Sequence, residues 1–282
     1  MLATPPVFIT RALRDVAAWS ALFDLQRLPV LESTAVALEE MRVMEDGVDA
    51  HMLAEAVVSD PLMTLKLLAH VAHLRRGRDG GEVETVTQAL VMLGIPPFFR
   101  AFGPQQTPQA WLAGQPEALA GFEAVLSRSH RAARFAMGFA VHRMDHDAPV
   151  IHEAALLHDF AELLLWLHAP ALALQIAGLQ AADSTLRSAV AQQAVLNTDL
   201  AALQHALMLA WRLPSLLVRI TDNHSKEPTS QVRNVLLAIA VARHSALGWD
   251  NAALPDDVRS VAALLHLSQD AALRLLREID SD

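Results

Sequence analysis

The residues best suited to chemistry lie in Val150–His168, VIHEAALLHDFAELLLWLH. At about 100° per residue, a helix through this segment places His152, His158, Asp159 and Glu162 on one face roughly 120° wide. Apart from Glu153 and His168, the rest of the segment is Ala, Leu, Ile, Phe and Trp. Such a stripe either lines a site inside a helical bundle or faces water. The adjacent His158-Asp159 pair offers one imidazole and one carboxylate, a donor combination suited to Fe, Mn or Zn. Two ligands do not complete a site. His130, His205 and His224, each on a separate predicted helix, are the histidines placed to add to it, although most isolated histidines are structural or surface residues. The chain has 13 His and no Cys, which excludes thiol catalysis, disulfides and thiolate metal sites, so any transition metal must be held by nitrogen and oxygen.

The elements that must position these groups are helices. Apolar residues recur at three and four along most segments, and 11 Gly with 14 Pro in 282 residues leave few turns for a chain of short strands. Asp60-Pro61 is a cap followed by a proline at the first helical position, and Thr85 caps a helix that Gly94 stops. Ile95-Pro96-Pro97 predicts a break before Phe98. Further helices are predicted over Thr34–Met44, Ala50–Val58, Glu117–His142, Val150–His168, Leu172–Leu179, Ser184–Leu196, Asp199–Trp211, Pro214–Asp222, Ser230–Leu247, Pro255–His266 and Gln269–Ile279. Turn formers concentrate in Gly103–Gln115, a candidate internal division.

With 53% hydrophobic and 19% charged residues the chain is not disordered, and its net charge of −9 repels a nucleic-acid duplex in the absence of a local basic patch. The opening MLATPPVFITRALRDV lacks the basic and apolar regions of a secretory signal, and no apolar stretch is both long and uninterrupted enough for a membrane span. The expectation is a cytoplasmic protein with neither nucleic acid nor membrane as partner.

Several motifs in order carry a family resemblance. LPVLESTAVALEEM, AEAVVSDPLMTLKLLAHVAHL and VETVTQALVMLG, within Leu28–Gly94, resemble the first half of the HDOD domain. LLHDFAELLLW at Leu156–Trp166, then DLAALQHALMLAWRLP and ITDNH, resemble its second half. The resemblance covers Leu28–Trp249. It implies an all-α, multi-helix HD-domain-like bundle with an N-terminal helical subdomain, in a bacterial signalling or regulatory protein. The implied organisation is an N-terminal helical extension (1–27), the N-terminal half of the HDOD domain (28–115), an HD-like helical half (116–250) and a C-terminal helical extension (251–282). The terminal helices could cap the bundle or form a homodimer contact. About 60 residues divided between two ends are too few for a fused receiver or sensory domain, so the expected input is a signalling protein partner.

Catalytic HD relatives carry the pattern His…His-Asp…Asp, whose ligands hold metal that activates water against a phosphoester. By resemblance the first His is His130 and the pair is His158-Asp159. The closing Asp is expected in VLLAIAVARHSAL, where this chain has Ala242-Arg243. Glu162 stands where the HD-GYP relatives have lysine. His205 and His224 match further HD-GYP ligand positions, but the usual His-His is Asn223-His224 here. Asp222 or Glu162 would be the substitutes for the missing carboxylate. The Asn-Ser common after the Asp-Pro helix is Ala72-His73, followed by the cationic RRGR at Arg75–Arg78, read as a solvated loop with anion contact as the alternative.

Arg243 cannot ligate a metal, and if aimed at the pair it is expected to form an ion pair with Asp159 in the metal's place. The favoured expectation is therefore a non-catalytic HDOD signalling module with no cofactor, which binds a partner protein or a small anionic or nucleotide ligand. The alternative is a metal-dependent phosphohydrolase in which His130, His158, Asp159, His205 and His224 hold Fe, Mn or Zn. A helical protein whose polar face is merely solvated is the third reading.

Overall fold

The computed structural model describes residues 6–75, 82–183, 185–220 and 229–281, and every regular element among them is helical. The chain forms two compact units, one from Met1–Ala124 with Phe160–Pro214 and the other from Val125–Asp159 with Ser215–Asp282.

Side-chain caps set several of the helix starts of the first unit. Asp15 accepts the Ala18 amide at α1 (Val16–Leu22). After α2 (Glu32–Val43), Asp49 accepts the His51 and Met52 amides at α3 (Ala50–Val57). Asp60 does the same for Leu62 and Met63 at α4 (Pro61–Leu74), with Pro61 in the first turn. These amides have no acceptor inside their own helix, which is why Asp is favoured there. Thr85 caps α5 (Val86–Leu93), and Gly94 ends it at φ 79°, a conformation that costs glycine little. Next, α6 (Ile95–Ala101) absorbs Pro96 and Pro97 into its first turn, where their missing amides break no bond. The break expected before Phe98 thus falls at Gly94. The turn-rich segment holds the short α7 (Pro108–Trp111), capped by Thr107.

The long α8 (Pro116–His142) begins in the first unit and continues in the second, to which α9 (Ala148–Leu156) belongs. The first unit is completed by α10 (Phe160–His168), α11 (Pro170–Ala182), α12 (Ser188–Leu196) and α13 (Leu200–Trp211). The single helix expected over Val150–His168 is therefore two helices. Leu157, His158 and Asp159 form a turn in which the His158 amide bonds to the Ala155 carbonyl, three residues back rather than four. His and Asp are weak helix formers, and the ordinary helical ladder gives way there.

Within the first unit, α4 is buried along nearly its whole length and packs on α5 and α13. The indole N–H groups of Trp19 and Trp111 donate to the carbonyls of Leu196 (2.9 Å) and Leu167 (2.8 Å), so neither buried donor is wasted. Buried Lys66 donates from Nζ to the Leu28 carbonyl at 2.9 Å and to Gln105 Oε1, tying α4 to the Leu-Pro opening and the turn-rich segment.

In the second unit, α14 (Ser215–Ile220), α15 (Ser230–His244), α16 (Leu254–Leu265) and α17 (Gln269–Ser281) follow in turn, with α15 packed on α9, α14 and α16. Arg131 of α8 grips Asp280 with Nε at 2.8 Å and Nη2 at 2.9 Å, and reaches the Ala242 carbonyl (3.1 Å) and Ser245 Oγ (2.7 Å) at the end of α15. Gly138 lets α17 approach, since a Cβ there would lie 2.5 Å from Ile279 Cδ1. Among the described residues no single helix is long and apolar enough to cross a membrane.

The first unit also contains a half-buried histidine with a thermodynamic consequence. His168 meets Phe23 and Trp111 edge-on, at 5.2 and 5.4 Å between ring centroids, and among the described residues its buried Nε2 has no hydrogen-bond partner. Burial first, and then the Arg27 charge, push its pKa down to about 4. The unfolded chain, with an ordinary histidine near ~6.5, binds the proton more readily than the folded one. Stability contributed by neutral His168 is thus full above that value and lost as pH falls towards 4. Urea unfolding is expected to show a loss of roughly 1–3 kcal/mol across this window, and the loss attributable to this site should vanish in His168→Phe.

Candidate functional site

The His158-Asp159 turn lies in the second unit, and Asp159 is its electrostatic centre. Its carboxylate is only 12% exposed and meets three nitrogen groups: Arg128 Nε at 2.9 Å on Oδ2, His158 Nδ1 at 2.9 Å on Oδ1 and Arg243 Nη2 at 3.5 Å on Oδ1. An ionised carboxylate only accepts, so the histidine contact assigns a proton to Nδ1. Burial raises the pKa of Asp159, but the hydrogen bond and charge of His158, followed by the charges of Arg128 and Arg243, outweigh it. Together they hold the carboxyl well below the usual carboxylate range.

Two helices deliver the arginines. Arg128 comes from α8 and is 19% exposed, while Arg243 comes from the last turn of α15 and is 54% exposed. The expected ion pair of Arg243 with Asp159 is present. Arg128, the closer partner, was not among the residues singled out from sequence. Its only signal there is its position two residues before His130, in SRSH.

His130 lies within electrostatic reach of His152 on α9, whose pKa is lowered by burial first and by His130 second. His205 on α13 and Glu162 on α10 belong to the first unit. Asp222 and His224, and Arg76–Arg78 of the basic loop, lie outside the described residues. The helix that carries His152 ends at Leu156, and His158 and Asp159 lie in the turn that follows it.

Among the described residues, the surroundings of Asp159 do not fit a divalent cation. Among the described residues no group of three or more His, Asp and Glu side chains gathers as a cation site. A metal on Asp159 would also meet two guanidinium groups, which cannot ligate it and repel it.

Residues 28–227 match the HDOD domain, and the chain belongs to that family. In fold it is similar to the MmoQ response regulator of Methylococcus capsulatus, with TM-score 0.66 at 19% identity over 89% of this chain and 98% of that one. It is also similar to a virulence factor of Campylobacter jejuni, with TM-score 0.60 at 18% identity over 93% and 96%. No curated protein matches the sequence. The all-α, HD-like architecture expected from the motifs is thus established. Arg243 lies beyond the matched residues, and Arg128 lies within them.

The two arginines are expected to differ in weight. Arg128→Ala leaves a buried carboxylate short of its nearest cation and should cost about 2–4 kcal/mol, at or below the usual range for a broken buried pair because Arg128 keeps some solvent. Arg243→Ala removes a long, exposed contact and should cost under about 1 kcal/mol. Urea unfolding of the two variants checks the order.

Proposed function

We propose that this chain is a non-catalytic HDOD signalling module that acts by binding a partner protein or a small ligand. The observation that carries the reading is the occupation of Asp159 by Arg128 and Arg243, at 2.9 and 3.5 Å. Metal-assisted phosphoester hydrolysis needs a cation that polarises phosphate and lowers the pKa of a bound water. Here the carboxylate of the His-Asp pair is neutralised by the chain's own side chains. Family membership supports a regulatory role, as does the similarity in fold to a protein described as a response regulator. The lack of a lysine at Glu162 points the same way.

Purified full-length protein is expected to contain far less than one transition metal per chain by elemental analysis. Adding Mn, Fe(II) or Zn should leave its melting temperature unchanged, and bis(p-nitrophenyl) phosphate should not be hydrolysed above the metal-only blank. Metal-stimulated hydrolysis that disappears in both His158→Ala and Asp159→Ala would overturn the reading in favour of a phosphohydrolase.

A further inference from the structure

The first unit holds a second polar centre, built on α4 and the end of α13, away from the His-Asp motif in sequence. Lys66, Ala69, His70 and His73 recur at three and four along α4 and so share one of its faces. α13 packs against α4 and brings Trp211 and Arg212 to the same place. Together with Gln26 they line a cavity of about 380 Å³, and a second cavity of about 560 Å³ shares Lys66 and Gln26 with it. Both volumes lie in the range of small-ligand sites, roughly 300–1,000 Å³.

The wall of the smaller cavity carries Lys66, His70, His73 and Arg212 and no carboxylate, in a chain whose net charge is −9. Lys66 is 1% exposed. Its ammonium donates to the Leu28 carbonyl and to Gln105, both of which line the second cavity, so it acts on the smaller one through its charge. The carboxylates whose fields reach it are engaged with backbone: Asp24 accepts the Gln26 amide, and Asp60 accepts those of Leu31, Leu62 and Met63. Arg212 adds an independent sign. It ends α13 at φ 54°, the left-handed position that glycine or asparagine usually fills. An arginine held there carries backbone strain that a glycine would not.

We propose that this cavity binds the phosphate group of a small phosphomonoester, with Lys66 at its floor and His73 and Arg212 at its rim. A tetrahedral dianion offers acceptors for the imidazoles and the guanidinium fork together and carries twice the charge of a carboxylate in the field of Lys66. Trp211 gives the organic portion a flat apolar wall. Burial pushes Lys66 down to about 8, against the opposing charges of Asp60 and then Asp24, so a bound anion would restore stability to its charged form.

Calorimetry and thermal unfolding of the full chain with inorganic phosphate and phenyl phosphate, against acetate at equal ionic strength, test the proposal. Saturable binding of both phosphates with a raised Tm, and much weaker acetate binding, is expected. Lys66→Met removes a buried tie and risks the fold, so the deciding variants are Arg212→Gly and the exposed His73→Gln. Arg212→Gly should match or exceed the wild-type Tm without ligand, because it relaxes the left-handed residue. It should nevertheless bind phosphate about tenfold more weakly, the equivalent of one charge-assisted hydrogen bond. Failure of both phosphates to bind, acetate binding as tightly as phosphate, or full phosphate affinity in both variants would each overturn the proposal. None of these outcomes bears on whether Asp159 holds a metal.

Discussion

A carboxylate withdrawn from water must find positive charge, and the identity of that charge decides what the His-Asp turn can do. The cost of burying an unpaired carboxylate is several kcal/mol or more, so Asp159 cannot be left alone. In catalytic relatives of the HD type a metal meets that need and brings its own chemistry. In this chain the need is met by Arg128 at 2.9 Å, the His158 imidazole at 2.9 Å and Arg243 at 3.5 Å. Those groups are covalently part of the protein and cannot exchange for water or substrate. The same field that stabilises the ionised carboxylate leaves it with little capacity to hold a cation.

The second unit is organised around the same economy of charge. Arg128 and Arg131 sit three residues apart on α8, so their side chains leave the helix on neighbouring lines. One reaches the His-Asp turn, and the other reaches Asp280 of α17 together with the Ala242 carbonyl and Ser245. The end of α15 is thereby used twice, since its carbonyl at Ala242 accepts from Arg131 while the next side chain, Arg243, turns to Asp159. Cations at a helix C-terminus also oppose the partial negative charge of its free carbonyls. The last turn of α15 thus lends a carbonyl to one arginine and an arginine to one carboxylate.

How far this was legible in the sequence differs between local and long-range features. Asp60 and Thr85 act through backbone amides two or three residues away and Gly94 through its own φ and the Leu90 carbonyl, and all three appear where the sequence places them. The HDOD motifs were readable for the same reason: each is a short string whose meaning survives without coordinates. The interruption at Leu157–Asp159 was not readable, because apolar periodicity runs on through it and the hydrogen bond that tightens the turn leaves no mark in the spacing. Arg243 was visible as a misplaced charge at an expected carboxylate. Arg128 was not, since nothing local distinguishes it from Arg131 or Arg134, and only the return of residue 159 to α8 selects it. Lys66 likewise reads as an ordinary helix residue until Leu28 and Gln105 are seen around its ammonium.

Asp159 and Lys66 differ in what meets their charge, cations and an imidazole in the first and neutral oxygens in the second. Both carboxylate oxygens of Asp159 already hold cationic or imidazole donors, so any ligand seeking it must first displace an ion pair inside a low-exposure site, at a cost that grows as screening falls. Lys66 is buried more deeply, and its ammonium is held by the Leu28 carbonyl and Gln105, neutral acceptors that leave its charge available to an anion. Recognition favours the second arrangement over the first, because binding strength comes from contacts that the free protein lacks rather than from contacts it must give up. On that physical ground the cavity on α4 is a better place for an added anion than Asp159 is for an added cation.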